Sequence, residues 1–141
     1  MKTQARFGLI ILALAAFAAC SSIPRAQRDR EALERYMDYA GPPVDSFSYL
    51  GRFTGFQTLG QYQLVVFTGV NDAYLLTLSP PCSDLQFANG IGFTSTAHTV
   101  YKNFDQVRFG RERCRIAEIR PVNYRELRKA QREEREEKEG T

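Results

Sequence analysis

Three cysteines, one histidine and a run of arginines are the residues of this 141-residue chain with the most chemistry to offer. Cys82 and Cys114 lie far apart, whereas redox-active and metal-binding cysteines usually sit close in sequence, as in C-x-x-C. His98 is the sole histidine and falls in Thr94-Ser-Thr-Ala-His-Thr99, a polar stretch that reads as a loop or hairpin tip. A general base or a metal site needs an imidazole beside carboxylates or thiols. Asp45, Asp84, Asp105 and Glu118 are scattered, with no spacing that pairs them. Asp45 follows Pro42-Pro43-Val44 and reads as a turn cap. There is no G-x-S-x-G elbow, no H-E-x-x-H and no phosphate-binding glycine loop, and Gly90-Ile-Gly92 lacks the rest of a dinucleotide fingerprint. The expectation is no catalytic residue, no metal ligand and no cofactor.

Arg108, Arg111, Arg113, Arg115 and Arg120 form a dense basic stretch around Cys114. On a strand, Arg113 and Arg115 share a face, because side chains alternate with period two. These two are the candidate partner-binding residues, suited to an anionic lipid headgroup, a glycan or an acidic protein patch. The plainer reading is a solvent-facing edge strand that its charge protects from aggregation.

The N-terminus supplies the context. Lys2 and Arg6 precede an apolar run from Phe7 to Ala19 that ends in Ala18-Ala19-Cys20. A basic head, an apolar middle and small residues before a cut site make a secretory signal. The run is shorter than the roughly 20 residues that span a bilayer. Its ending resembles the lipobox of bacterial lipoproteins. The resemblance implies that residues 1–19 are removed, that Cys20 becomes a lipidated N-terminus, and that lipid chains hold the protein to a membrane. Ser21 in place of Asp implies, by the sorting rules of enteric bacteria, an outer-membrane anchor facing the periplasm. The alternative is an ordinary signal peptide cut near Ala19, with Cys20 a free thiol.

Loss of Lys2 and Arg6 lowers the basic count from 19 to 17, against 16 acids. That near-neutral balance gives no support to nucleic-acid binding, which needs a clustered basic face. With Cys20 given to lipid, two cysteines are left in an oxidising compartment, the minimum for one disulfide. A Cys82–Cys114 bridge is expected, with a redox or metal-binding pair as the alternative.

The elements that must position these residues are mostly strands. After a lipidated tether (20–25), residues 26–44 read as a lead-in helix and a Pro-rich turn. Leu33, Tyr36, Met37 and Ala40 fall at helical spacing, and Gly41-Pro42-Pro43 ends the run. Residues 45–122 read as the β domain. Phe47 to Phe56 is aromatic-rich, with Gly51 and Gly55 as bends. Segments 61–68 and 73–78 alternate around Gly69-Val70-Asn71-Asp72 and form a hairpin. Shorter strands are expected at 90–95, 98–102, 104–109 and 113–120, the last bulged near Ala117-Glu118. Residues 123–141 read as a charged C-terminal helix, opened by Asn123 and Glu126 as a capping box. Beyond Ala130 that tail has no apolar residue and is expected to be solvated rather than a partner-binding arm. The predicted fold class is mainly β: a small antiparallel sheet or partly closed barrel, flanked by an amphipathic N-terminal helix and a charged C-terminal helix.

Three stretches point to a family: Tyr39-Ala-Gly-Pro-Pro-Val-Asp-Ser-Phe47, Ala73-Tyr-Leu-Leu-Thr-Leu-Ser-Pro-Pro-Cys82 and Cys114-Arg-Ile-Ala-Glu-Ile-Arg-Pro-Val122. Together they resemble an uncharacterised family of short exported proteobacterial proteins and lipoproteins, a domain of unknown function. The resemblance implies a single exported domain with linked cysteines and no inherited catalytic residue. The functional expectation is a non-enzymatic, outer-membrane-anchored periplasmic lipoprotein that binds an envelope component. The alternatives are a small-ligand-binding β-barrel, then an enzyme with a non-obvious site.

Overall fold

In the computed structural model the described residues are 23–50, 52–95 and 97–141. The expected signal segment 1–19, Cys20 and the bend at Gly51 lie outside them. The elements in chain order are α1 (Arg25–Asp38), β1 (Ser46–Ser48), β2 (Gly55–Thr58), β3 (Gln63–Phe67), β4 (Asp72–Leu78), a 3-10 turn (Leu85–Phe87), β5 (Gly92–Phe93), β6 (Thr99–Tyr101), β7 (Gln106–Phe109), β8 (Glu112–Asn123) and α2 (Tyr124–Glu139). Six strands form one antiparallel sheet in the order β2-β3-β4-β8-β7-β5, curled into a half-barrel, while β1 and β6 make a separate two-stranded sheet. The class is mainly β with one helix at each end, as the sequence predicts.

Long β8 organises the sheet. On one side it pairs with β4, from Asp72–Asn123 to Leu78–Ile116. Its other side is taken in turn by β7, by Asn103, by Val44 and by Gly41, whose N–H groups reach the carbonyls of Ile116, Ile119 and Pro121. The backbone groups of a central strand are thereby satisfied on both edges, although no single strand is long enough to cover one of them. Opposite Thr77 and Leu78 the register slips, so Ala117 is the extra residue of a bulge. The bulge lies where the sequence predicts it, near Ala117-Glu118, and it turns Cys114, Ile116 and Ile119 toward one interior.

Alternation along the strands builds two cores. Leu64, Val66, Leu76, Leu78, Ile116 and Ile119 fill the concave face, closed over by Phe47, Phe93, Val100 and Val107. Val65, Ala73, Leu75 and Val122 face the other way, against Tyr36 of α1 and Leu127 of α2. Continuous burial of Leu64, Val65 and Val66 follows, since β3 is covered on both faces.

Both helices hold the sheet by narrow stripes. In α1 the packed side is Ala32, Leu33 and Tyr36, whereas Met37, expected on that stripe, is 44% exposed at its rim. At the start of α2 Asn123 Oδ1 accepts the Glu126 N–H at 3.4 Å. The reciprocal half of the expected capping box does not form, because the Asn123 N–H is already given to the Tyr39 carbonyl. Tyr124 and Leu127 pack on the sheet, and every residue from Arg132 onward is exposed. The expected strand over 46–56 divides into β1, which leaves to pair with β6, and β2, which edges the main sheet.

Candidate functional site

The half of the sheet's outer face that the helices leave bare is lined with arginine. Arg108 of β7 stands directly opposite Arg113 of β8, and Arg115 follows on the same face opposite Gln106. Their inward neighbours, Val107, Cys114 and Ile116, are buried, which forces the three guanidinium groups outward. Gly92 pairs with Arg108, whose guanidinium lies beside it across β5. Arg111 occupies the tip of the β7–β8 turn. Gly110 precedes it with φ +53°, as the first position of a two-residue hairpin turn of this hand requires.

Like charges placed directly across a strand pair disfavour the pairing. Two basic residues elsewhere in the β domain do have carboxylate partners. Arg120 Nε lies 2.7 Å from Glu118 Oε1, and Lys102 Nζ lies 2.8 Å from Asp45 Oδ1. Among the described residues no carboxylate lies within ion-pair distance of Arg108, Arg111, Arg113 or Arg115. Edge protection does not account for this charge. Arg115 is bonded on both sides, opposite Gln106 and through its carbonyl to the Ser79 N–H, so this part of β8 is interior to the sheet.

Cys82 and Cys114 fix the support beneath the arginines. Their sulfurs are joined, with Cα atoms 5.9 Å apart, and both residues are buried. Glu112 adds a second tie by accepting the N–H groups of Ser83 and Asp84, each at 3.2 Å. The loop that follows the cis Pro80-Pro81 bond is thus held to the β7–β8 hairpin at two points. Cys82, Glu112 and Cys114 come close enough to suggest a metal site. With the sulfurs bonded to one another there is no thiolate to ligate a metal, so this trio is a structural tie.

The other candidates separate. His98 is exposed, has φ 57°, and packs edge-on against Tyr49 at 5.9 Å between ring centres. Asp45 does not cap a turn. It pairs with Lys102, whose hydrogen bond and charge hold its carboxyl below the usual range. Asp105 is the one buried charged residue among those described, and sequence reasoning gave it no role. Its Oδ1 accepts from the Thr94 hydroxyl at 2.9 Å and its Oδ2 from the Tyr101 N–H at 2.8 Å, tying together the approaches to β5, β6 and β7. Its position four residues after Tyr101 is the one local signal of that role. Tyr36 donates to Gln57 Oε1 at 2.8 Å, and burial, with a smaller contribution from Tyr124 and against the pull of Arg35, pushes its hydroxyl up to about 12.

Two shallow grooves flank the β7–β8 tip. One, of about 570 Å³, runs between Phe87 and Arg111 and also meets Asp84 and Glu112. The other, of about 540 Å³, is bordered by Arg108, Arg111 and Arg113.

The fold and this surface define a disulfide-tied, curled β-sheet domain with a basic outer face. The chain belongs to the Family of unknown function (DUF6491), whose model matches residues 2–138. The comparisons with curated proteins and with solved structures found no match. The three stretches that pointed to an uncharacterised family are thus borne out as to the family.

Proposed function

We propose that this chain is a lipoprotein of the bacterial cell envelope, anchored in the outer membrane by lipid on Cys20 and facing the periplasm. Its β domain binds an anionic envelope component and catalyses no reaction. The observation that carries the binding reading is the uncompensated trio Arg108, Arg113 and Arg115 on the bare part of the sheet. Guanidinium groups without internal carboxylates are free to take phosphate or carboxylate from outside, in the paired geometry that suits arginine.

Support for the anchor comes from the basic head, the apolar run and the Ala18-Ala19-Cys20 ending. The family match begins at residue 2, so this leader and Cys20 lie within the matched region. A Cys82–Cys114 disulfide suits an oxidising compartment. The concave face offers side chains rather than space, with Leu64, Leu76, Val100, Val107 and Ile116 fully buried there, which favours a surface-binding role over an internal ligand.

Arginine footprinting tests the reading. Phenylglyoxal is applied to intact envelopes and to the detergent-purified protein, and modified peptides are mapped by mass. Arg113 and Arg115 react slowly in envelopes and quickly after purification, while Arg132 and Arg135 on the free end of α2 react alike in both. Equal rates for Arg113 and Arg115 in the two preparations would contradict the proposal.

A further inference from the structure

The two ends of the sheet differ, and the chain that leads to Cys20 leaves from one of them. Helix α1 runs the length of the sheet. After its C-terminus Ala40 bridges Val122, near the start of β4. Its N-terminus reaches the other end, where Arg25 donates to the Gln86 carbonyl and its guanidinium lies over the Phe87 ring, 5.5 Å from the centroid. Cys20 stands five positions before Arg25, and a fully extended chain over that step reaches at most about 18 Å. Whatever surface holds the Cys20 lipid is therefore close to Phe87.

Phe87 is 63% exposed, an unusual state for a phenylalanine fixed at a 3-10 turn whose Leu85 is fully buried. Ile23, in the tether itself, is 49% exposed. The groove beside Phe87 ends at Arg111, and the adjoining groove continues to Arg108 and Arg113. An aromatic ring and a set of unpaired arginines thus meet at the end of the domain nearest the anchor. An exposed phenylalanine on a surface element can bury its ring at the headgroup–acyl boundary, and guanidinium groups engage phosphates there while their stems lie along apolar matter. Two acids share the edge. Glu112 is held in place by the Ser83 and Asp84 N–H groups, and with Asp84 it opposes the three arginines with two negative charges. Arg25 also has Asp29 nearby, at 3.9 Å.

We propose that Phe87 with Arg108, Arg111 and Arg113 is a membrane-docking edge, which lays the domain against the anionic phospholipid leaflet that holds its own anchor. This rests on the lipoprotein reading and names the partner of the arginine face as phospholipid headgroups. Docking turns the loop after Cys82 and the β7–β8 tip toward the membrane, and it leaves the β3–β4 turn at Val70, across the length of β4, in water.

The chain has no tryptophan, so one introduced indole reports its own depth. The processed, lipidated full-length product of Phe87→Trp is reconstituted into phosphatidylcholine vesicles with and without phosphatidylglycerol, each with a lipid-borne nitroxide quencher, and flotation is scored alongside. Expected is flotation with both vesicles, a blue shift, and loss of most of the emission in the phosphatidylglycerol vesicles alone. Adding Arg108→Gln, Arg111→Gln and Arg113→Gln restores the emission without loss of flotation, and Val70→Trp is unquenched throughout. Both indole sites are exposed, and an unchanged far-UV spectrum checks the fold. Floating protein whose Phe87→Trp emission is unquenched overturns the docking edge and leaves the lipid anchor standing. Quenching that ignores phosphatidylglycerol or survives the arginine changes overturns its anionic basis, and quenching of Val70→Trp overturns the orientation. Failure to float overturns the lipoprotein reading and the docking edge with it.

Discussion

Tyr36 shows what a single buried hydroxyl contributes. It lies between α1 and the sheet, donates to Gln57, and keeps its proton up to about pH 12 because burial disfavours the phenolate. In the unfolded chain a tyrosine ionises near 10.0. Below that pH both states hold the proton and the group adds no pH dependence. Between 10 and 12 the unfolded state sheds a proton that the folded state retains, so stability falls as pH rises. Tyr36→Phe is expected to cost about 0.5–1.5 kcal/mol at neutral pH for the lost hydrogen bond and to flatten the alkaline limb. Denaturant midpoints across that range check this, and an identical limb in both proteins would contradict it. At this scale the sequence was partly legible. Arg113 and Arg115 share a face by alternation alone. Arg108 joins them through register, which depends on the two-residue turn at Gly110-Arg111 and not on either strand's own pattern. Asp105 was missed for the same reason, since its partner Thr94 is brought to it by pairing of β5 with β7.

At the level of elements, the β7–β8 hairpin and the loop from Ser79 to Ile91 act as one unit. The disulfide closes a loop with a sequence separation of 32. On the chain-entropy estimate that constraint is worth about 3–4 kcal/mol. Reduction is expected to lower the urea midpoint accordingly and to loosen the loop that carries Phe87. Glu112, buried Leu85 and the Arg25 contacts to Gln86 and Phe87 then hold that loop without the covalent tie. Unfolding curves with and without reductant measure it, and coincident curves would contradict it. The β3–β4 hairpin, the bulge at Ala117 and both helices were legible, because each is written in local periodicity or turn residues. Strand order was not. Phe47 and Phe56, which read as ends of one aromatic run, divide between two sheets, and β8 reads as an edge from its arginines although it pairs on both sides. Charge on one face says nothing about hydrogen bonding at the edges, so composition misplaced the strand while assigning its faces correctly.

For the molecule as a whole, one arrangement joins the residue and element scales. The helices cover the outer face near β2, β3 and β4, and the rest of that face carries arginine. The chain's route through α1 brings the N-terminal end of the described chain to the arginine end of the sheet. None of that convergence was legible locally, because it is a property of the direction in which α1 crosses the sheet. The address, by contrast, rests wholly on the basic head, the apolar run and the small residues before Cys20. The proposed anchor therefore stands first on the chemistry at that residue. Intact-mass and N-terminal peptide spectra of the protein extracted from bacterial envelopes measure it. The expected mature chain begins at Cys20 with a diacylglyceryl group on its sulfur. A chain that begins elsewhere, or that carries Cys20 as a free thiol, would contradict the account.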